Sequence, residues 1–207
     1  MKQRILCLLL AACMLLSLGT PGVRAAEPRR HSVTITAAPM AEQGITWAVN
    51  DGLLTISGNG AVPDYAQGEA PWLEEEVFSI IIEDGITALG SNAFRGMKKL
   101  QEVTIGSGVA AMGESVFADC PVMQRVTFRG GKGIVPTNSF NGCPMLATFW
   151  FLGDMPVLER HSLSTGAGWI DVYYDFHNKT WADYPGNIAS DGVGWGSYDV
   201  RPGESGS

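Results

Sequence analysis

A short strand-like triplet returns every 23 residues through this chain, and that period limits the fold more than any other feature. The copies are Ile80-Ile81-Ile82, Val103-Thr104-Ile105, Val126-Thr127-Phe128, Phe149-Trp150-Phe151 and Val172-Tyr173-Tyr174, with no slippage between them. Val77, Leu100, Met123, Leu146 and Trp169 precede each triplet by three residues. Leu89, Met112, Val135 and Leu158 form a second register, and Phe94, Phe117, Phe140 and Leu163 a third. Gly85, Gly108 and Gly131 recur too, with Asp154 in the fourth copy. Self-similarity at a fixed period of this size is the mark of stacked supersecondary units, each unable to bury an apolar face alone.

Spacing within one copy gives its geometry. Leu100, Val103 and Ile105 read as L-x-x-L-x-L, the strand-bearing part of a leucine-rich repeat. Alternation sends Val103 and Ile105 to one face and Thr104 to the other. Coils stacked about 4.8 Å apart then pair their strands into a parallel sheet, each covering its neighbour's apolar row. The segment Ser91-Asn92-Ala93-Phe94-Arg95-Gly96 reads as a short helical turn, with Ser or Glu-Ser ahead of the aromatic as capping chemistry. Phe94, Phe117 and Phe140 are expected to stack as core on the convex side rather than to hold a cofactor.

These motifs resemble a known family. Asn92-Ala93-Phe94-Arg95-Gly96 and Ser115-Val116-Phe117-Ala118-Asp119-Cys120 are similar to the "AF-x-x-C-x-x-L" half of BspA-like leucine-rich repeats. Ile86-Thr87-Ala88-Leu89-Gly90 and Val109-Ala110-Ala111-Met112-Gly113 resemble its "V-x-x-I-G" half. Trp47-Ala48-Val49 and Leu53-Leu54-Thr55-Ile56-Ser57-Gly58, joined by Asn50-Asp51-Gly52, read as a hairpin, because Asn and Gly tolerate positive φ. That hairpin resembles the family's N-terminal cap, and Val172-Tyr173-Tyr174 followed by Trp181 resembles its "YY…W" closing element. The resemblance covers roughly residues 44–184. It implies a mostly β solenoid, coiled right-handedly, with short parallel strands and short helical turns. For some members it also implies adhesion or contact with host matrix. Pro136 and Glu159-Arg160-His161 depart from the pattern, so irregularity is expected near residues 130–165.

The ends divide the chain further. Residues 1–25 read as a secretory signal peptide: Lys2 and Arg4 precede an apolar run from Ile5 to Leu18, and Val23-Arg24-Ala25 offers a cleavage site. The rival is a lipoprotein signal ending at Cys13. Met14-Leu15-Leu16 continues the apolar run past that cysteine and favours release. Residues 26–43 read as a linker, 44–76 as the hairpin cap, 77–175 as the repeats, and 176–207 as a C-terminal cap and flexible tail that Trp195 and Tyr198 could pin. The Asn178–Thr180 sequon reads as coincidental. The mature chain is expected to be secreted or at the cell surface, with no transmembrane segment, and monomeric because a capped solenoid leaves no open edge.

Charge and composition exclude other classes. The full chain carries 14 basic and 21 acidic residues. Without Lys2, Arg4 and Arg24 the balance is 11 to 21, a net charge of −10. Nucleic acids and anionic membranes call for clustered cations, so neither is an expected partner. His31, His161 and His177 form no metal-spaced pair, and no nucleophile elbow or phosphate loop is present. Glu74-Glu75-Glu76 reads as a solvated face. The chain therefore reads as a non-enzyme without cofactor. Cys120 and Cys143 lie 23 residues apart. A disulfide is conceivable if their Cα atoms lie within about 7 Å, but free, buried thiols are the preferred reading.

A candidate surface remains. Ile81, Thr104, Thr127, Trp150 and Tyr173 should point outward from the strands. Ser79, Glu102, Arg125, Thr148 and Asp171 flank them on one side, and Glu83, Gly106, Arg129, Leu152 and Asp175 on the other. Exposed aromatics beside arginine are common binding anchors. Trp150, Tyr173, Arg125 and Arg129 are thus the candidate ligand-binding residues, for a protein or glycan. The alternative is a structural component of the producing cell's envelope, with Trp150 merely covering an irregular coil.

Overall fold

The computed structural model describes residues 32–33, 44–131, 133–175, 177–181 and 199–203. The expected signal segment, the Cys13 alternative, most of the linker, and Trp195 and Tyr198 lie outside them. The chain forms a mostly β solenoid of about five turns with parallel strands and almost no helix. In order, the strands are β1 (Ser32–Val33), β2 (Ile45–Asn50), β3 (Leu53–Gly58), β4 (Gly60–Val62), β5 (Ser79–Ile82), β6 (Ile86–Leu89), β7 (Glu102–Ile105), β8 (Ala111–Met112), β9 (Arg125–Phe128), β10 (Ile134–Val135), β11 (Thr148–Phe151), β12 (Val157–Leu158), β13 (Asp171–Asp175) and β14 (Asp199–Gly203).

The 23-residue triplets are strands of one nine-stranded sheet, ordered β1-β2-β3-β5-β7-β9-β11-β13-β14. From β3 onward the pairing is parallel, and equivalent residues of successive coils face each other, Ile80 with Val103 and Val103 with Val126. β2 and β3 are antiparallel and form the cap hairpin, turning through Asp51 and Gly52, both at positive φ. Such a turn matches the twist of its strands only with positive φ at the corner. Two short strands fall where the sequence reads linker and tail: Ser32–Val33 pairs antiparallel with β2, and Asp199–Gly203 parallel with β13.

The second register also builds sheets, which the sequence reading did not foresee. β4, β6 and β8 pair in one, and β10 and β12 in another. The break between β8 and β10 falls beside Gly130, Gly131 and Gly133, where a small apolar gap is lined by Val109, Met112, Ile134 and Pro156. The irregularity expected near residues 130–165 thus shows in this sheet. The long sheet crosses the same coils without a shift in register.

Between the two strand registers lies the core. Trp72, Phe94, Phe117 and Phe140 are fully buried and stack in series, with ring centroids 5.0, 5.1 and 5.7 Å apart. Trp72 ends the series at the cap. It sits in a single 3-10 turn, Pro71–Glu74, and its Nε1–H donates to the Ala93 carbonyl at 2.7 Å. At the other end Trp181 stacks on Tyr174 at 4.8 Å, and its Nε1–H donates to Gly153 O at 3.0 Å. The Asn178 amide donates to Asp154 and the Thr180 hydroxyl accepts from Met155 N–H, so the closing segment is stitched to the fourth coil. This gives Asp154 a reason to stand where earlier copies have glycine.

Three expectations need correction. The turns ahead of the phenylalanines are not helical. They hold only isolated i→i+3 bonds, such as Arg95 N–H to Asn92 O and Ala118 N–H to Ser115 O, while intervening N–H groups reach the next coil, as Phe94 does to Val116 O. A helix would need those donors for itself. Nor do Ser91 and Ser115 act as caps, because the turn begins with a left-handed residue: Asn92, Ser115, Asn138 and His161 have φ of 57, 55, 61 and 58°. Finally, Trp169 leaves the row of Leu100, Met123 and Leu146. It is 79% exposed, and Ile170 packs against the core instead.

Why the glycine register exists is now visible. A Cβ on Gly85 would strike the Gly58 carbonyl, one on Gly108 the Asp84 carbonyl, and one on Gly131 the Asp154 backbone. Adjacent coils approach there too closely for any side chain.

Candidate functional site

Alternation along the long sheet sends every second residue outward, and coil stacking aligns these into rows. In the first row Glu102 faces Arg125, and Thr148 faces Asp171. In the central row Ile81, Thr104, Thr127, Trp150 and Tyr173 lie side by side on successive strands. The third row, just past the strand ends, holds Glu83, Gly106, Arg129 and Leu152. Inward neighbours such as Val126, Phe149, Phe151 and Val172 are buried, so the outward residues stand on a fixed floor.

The four candidate residues separate into two groups. Trp150 and Tyr173 meet: their rings stack with centroids 4.5 Å apart and planes inclined by 16°. Both are partly exposed, and Leu152 beside Trp150 is 41% exposed. The two rings stand side by side across the sheet and cover one face of each other.

The arginines are held by acids of earlier coils. Arg125 reaches back one coil to Glu102, with Nη1 3.3 Å from the carboxylate, as their register predicts. Arg129 reaches back two coils to Asp84 at 3.9 Å. It can do so because the intervening position of its row is Gly106. The Asp84 carboxylate also accepts the Ser107 backbone N–H at 2.7 Å, and this bond, with Arg129 beside it, holds Asp84 below the usual carboxylate range. All four ion-pairing groups are about half exposed, so each pair is worth little in isolation.

The signal for these pairs was present in the 23-residue offset of Glu102 and Arg125. Asp84 was missed because it lies outside the repeating triplet. On β13 the outward residues are Asp171, Tyr173 and Asp175, so a carboxylate stands on either side of the tyrosine. Asp175 accepts from the His177 backbone N–H at 2.9 Å.

Cys120 and Cys143 are free and fully buried. Each thiol lies against the carbonyl of the previous coil's phenylalanine, Cys120 with Phe94 at 3.3 Å and Cys143 with Phe117 at 3.1 Å. The neighbouring Cys143 thiol and burial push the Cys120 thiol well above its ordinary pKa. A thiol so placed is core, not nucleophile. Among the described residues no group of three or more His, Cys, Asp or Glu converges as a metal site would. Nor is any described helix long and apolar enough to cross a membrane.

Residues 73–166 match the family model described as BspA type leucine rich repeat region, in six copies. Among solved structures the chain is similar to a leucine-rich repeat protein from Eubacterium ventriosum ATCC 27560. Their identity is 21% and their TM-score 0.48, over 77% of this chain and 42% of that one. This chain therefore spans less than half the length of that protein. Comparison with the curated proteins gives no match.

Proposed function

We propose, from the match of residues 73–166 to a BspA type leucine-rich repeat region, that the chain is a secreted or cell-surface module binding another protein through the outward face of its long sheet. Repeats of this family and fold are typically non-catalytic binding modules. The observation that carries the reading is the Trp150–Tyr173 stack, beside exposed Leu152, at the end of a row that begins with Ile81, Thr104 and Thr127. Rigid aromatics held by a packed floor lose little entropy on binding, and such residues supply most of the energy at protein interfaces. Arg125 and Arg129 form the charged border of the same face.

Repeats of this family are typically protein-interaction modules, which favours protein over glycan as the partner.

The test is binding of the purified chain to an array of matrix proteins, glycans and cell-wall fragments, beside Trp150→Ala/Tyr173→Ala. Loss of a buried aromatic anchor costs about 2 kcal/mol or more, roughly a 30-fold rise in Kd. A protein ligand weakened by that factor in the double variant supports the proposal. Retention by wall fragments that ignores the variant would instead favour an envelope component.

A further inference from the structure

We propose that the solenoid bends at one built-in hinge, the junction of its second and third coils, and that Arg125 and Arg129 latch it from the long-sheet side. The inference goes beyond the binding reading and stands on the coil geometry alone.

Successive coils are tied at the long sheet, at the second strand register and at the phenylalanine turn. At the second register, Ala110 N–H donates to Thr87 O at 3.0 Å and Gly113 N–H to Leu89 O at 2.7 Å, joining the first and second coils. Val157 N–H to Gly133 O and Glu159 N–H to Val135 O, both at 3.1 Å, join the third and fourth. Between the second and third coils β8 and β10 belong to different sheets, and among the described residues no backbone hydrogen bond joins them. The sequence itself removes these bonds. Pro136 stands at the place of Gly113 and Glu159, and proline has no N–H to donate. Gly133 turns its own N–H onto Gly131 O at 2.9 Å.

Packing loosens at the same junction. The apolar gap lined by Met112, Ile134 and Pro156 lies there. Phe117 and Phe140, which meet across it, stand 5.7 Å apart, against 5.0 and 5.1 Å for the earlier pairs of the series.

The other sides of the coil hold. Phe117 N–H donates to Ser139 O at 2.9 Å, Asp119 N–H to Asn141 O at 2.7 Å and Arg129 N–H to Ile105 O at 2.8 Å. A junction bonded at its sheet and its turn but open at the remaining side bends there rather than parting. Both ion pairs of the long sheet span this junction: Arg125 and Arg129 lie in the third coil, Glu102 in the second and Asp84 in the first. Their groups are about half exposed, so the latch is weak and is screened by salt. The same arginines border the proposed binding face, so recognition and bending draw on the same groups.

The experiment is hydrogen exchange followed by NMR on the full chain, comparing equivalent bonded amides at successive junctions. Phe117, Asp119 and Arg129 report on the hinge, Phe94 and Gly96 on the junction before it and Leu152 on the one after. Fraying from the ends would make the outer junctions faster and the central one slowest. Expected is the reverse, with the hinge amides exchanging about tenfold faster than their equivalents, as one or two absent hydrogen bonds allow. Pro136→Ala returns an N–H facing Met112 O, at a place where the fourth coil already carries Glu159, and should slow the hinge amides toward their neighbours. Glu102→Gln/Asp84→Asn, or added salt in the wild type, should speed them by about twofold to fivefold and leave Leu152 unchanged. Thermal melts verify that each variant is folded. Equal exchange at all these junctions in the wild type overturns the hinge without recourse to any variant, and fast exchange indifferent to Pro136→Ala overturns it as well. Fast exchange that ignores both salt and the acid variants overturns the latch.

Discussion

Phe117→Ala is the sharpest test of what holds the coils together. Phe117 is fully buried in the middle of the aromatic series, 5.1 Å from Phe94 and 5.7 Å from Phe140, with planes inclined by 10 and 4°. Truncation removes the transfer energy of a phenyl ring, leaves a cavity between two rings that cannot close on each other, and ends two stacked contacts. Core Phe→Ala changes cost about 3–5 kcal/mol, and this site belongs near the upper end because both neighbours are fixed by their own coils. Against a total stability of roughly 5–15 kcal/mol that is a large share. At about 2–4 °C per kcal/mol, Tm should fall by roughly 10 °C or more. A solenoid is held by nearest-neighbour interfaces, so the variant should also broaden urea unfolding and lower its m-value, as the two halves lose cooperativity. Urea titrations followed by circular dichroism read both effects. Phe117→Leu, which keeps most of the volume, should lose under half as much. A loss below about 1 kcal/mol for Phe117→Ala, or one no larger than for Trp150→Ala, would refute the ladder as the core of the fold.

Other outcomes follow from individual positions. His161→Gly should stabilise the chain by several tenths of a kcal/mol, because φ of 58° strains a histidine by about 1–2 kcal/mol while glycine returns only part of that through chain entropy; a lower Tm would contradict the assigned backbone. Gly108→Ala should lose more than about 2 kcal/mol, since the new methyl meets the Asp84 carbonyl, whereas Gly68→Ala, with open space around it, should lose only the strain of its positive φ. Cys120 and Cys143 should be inert to a thiol reagent in the native protein and titrate only in denaturant; rapid native labelling would show they are not core. Asp84 has a lowered folded pKa, so its stabilisation is present above the unfolded pKa of about 4 and is lost as pH falls through the folded value. Wild type should therefore exceed Asp84→Asn in Tm at neutral pH, and the gap should close in acid; a gap constant with pH would exclude the carboxylate charge as its source.

Much of the fold was legible because a period of 23 with alternation inside it admits few three-dimensional readings. Val103 and Ile105 had to face in, Thr104 out, and the same held in every coil. The third register gave the phenylalanine series, and Asn50-Asp51-Gly52 gave the hairpin. The second set of sheets stayed hidden because β8, β10 and β12 are two residues long, too short for alternation to show. The turns read as helical because their residues suit caps. The donors went elsewhere once neighbouring coils brought carbonyls within reach.

For the candidate face, sequence alone determined which residues point outward, since that depends only on strand period and coil register. Tertiary structure decided what they do there. That Trp150 and Tyr173 stack on each other depends on rotamers set by neighbours. That Arg125 and Arg129 turn back toward Glu102 and Asp84 depends on which acid lies within reach across one coil or two. Trp169 makes the same point from the other side: its register placed it in the core, and the last coil turned it out to solvent. A repeat fixes the inside of a solenoid because burial is common to every coil. Its outside is settled by contacts between residues one or two coils apart, which exist only once the coils are stacked.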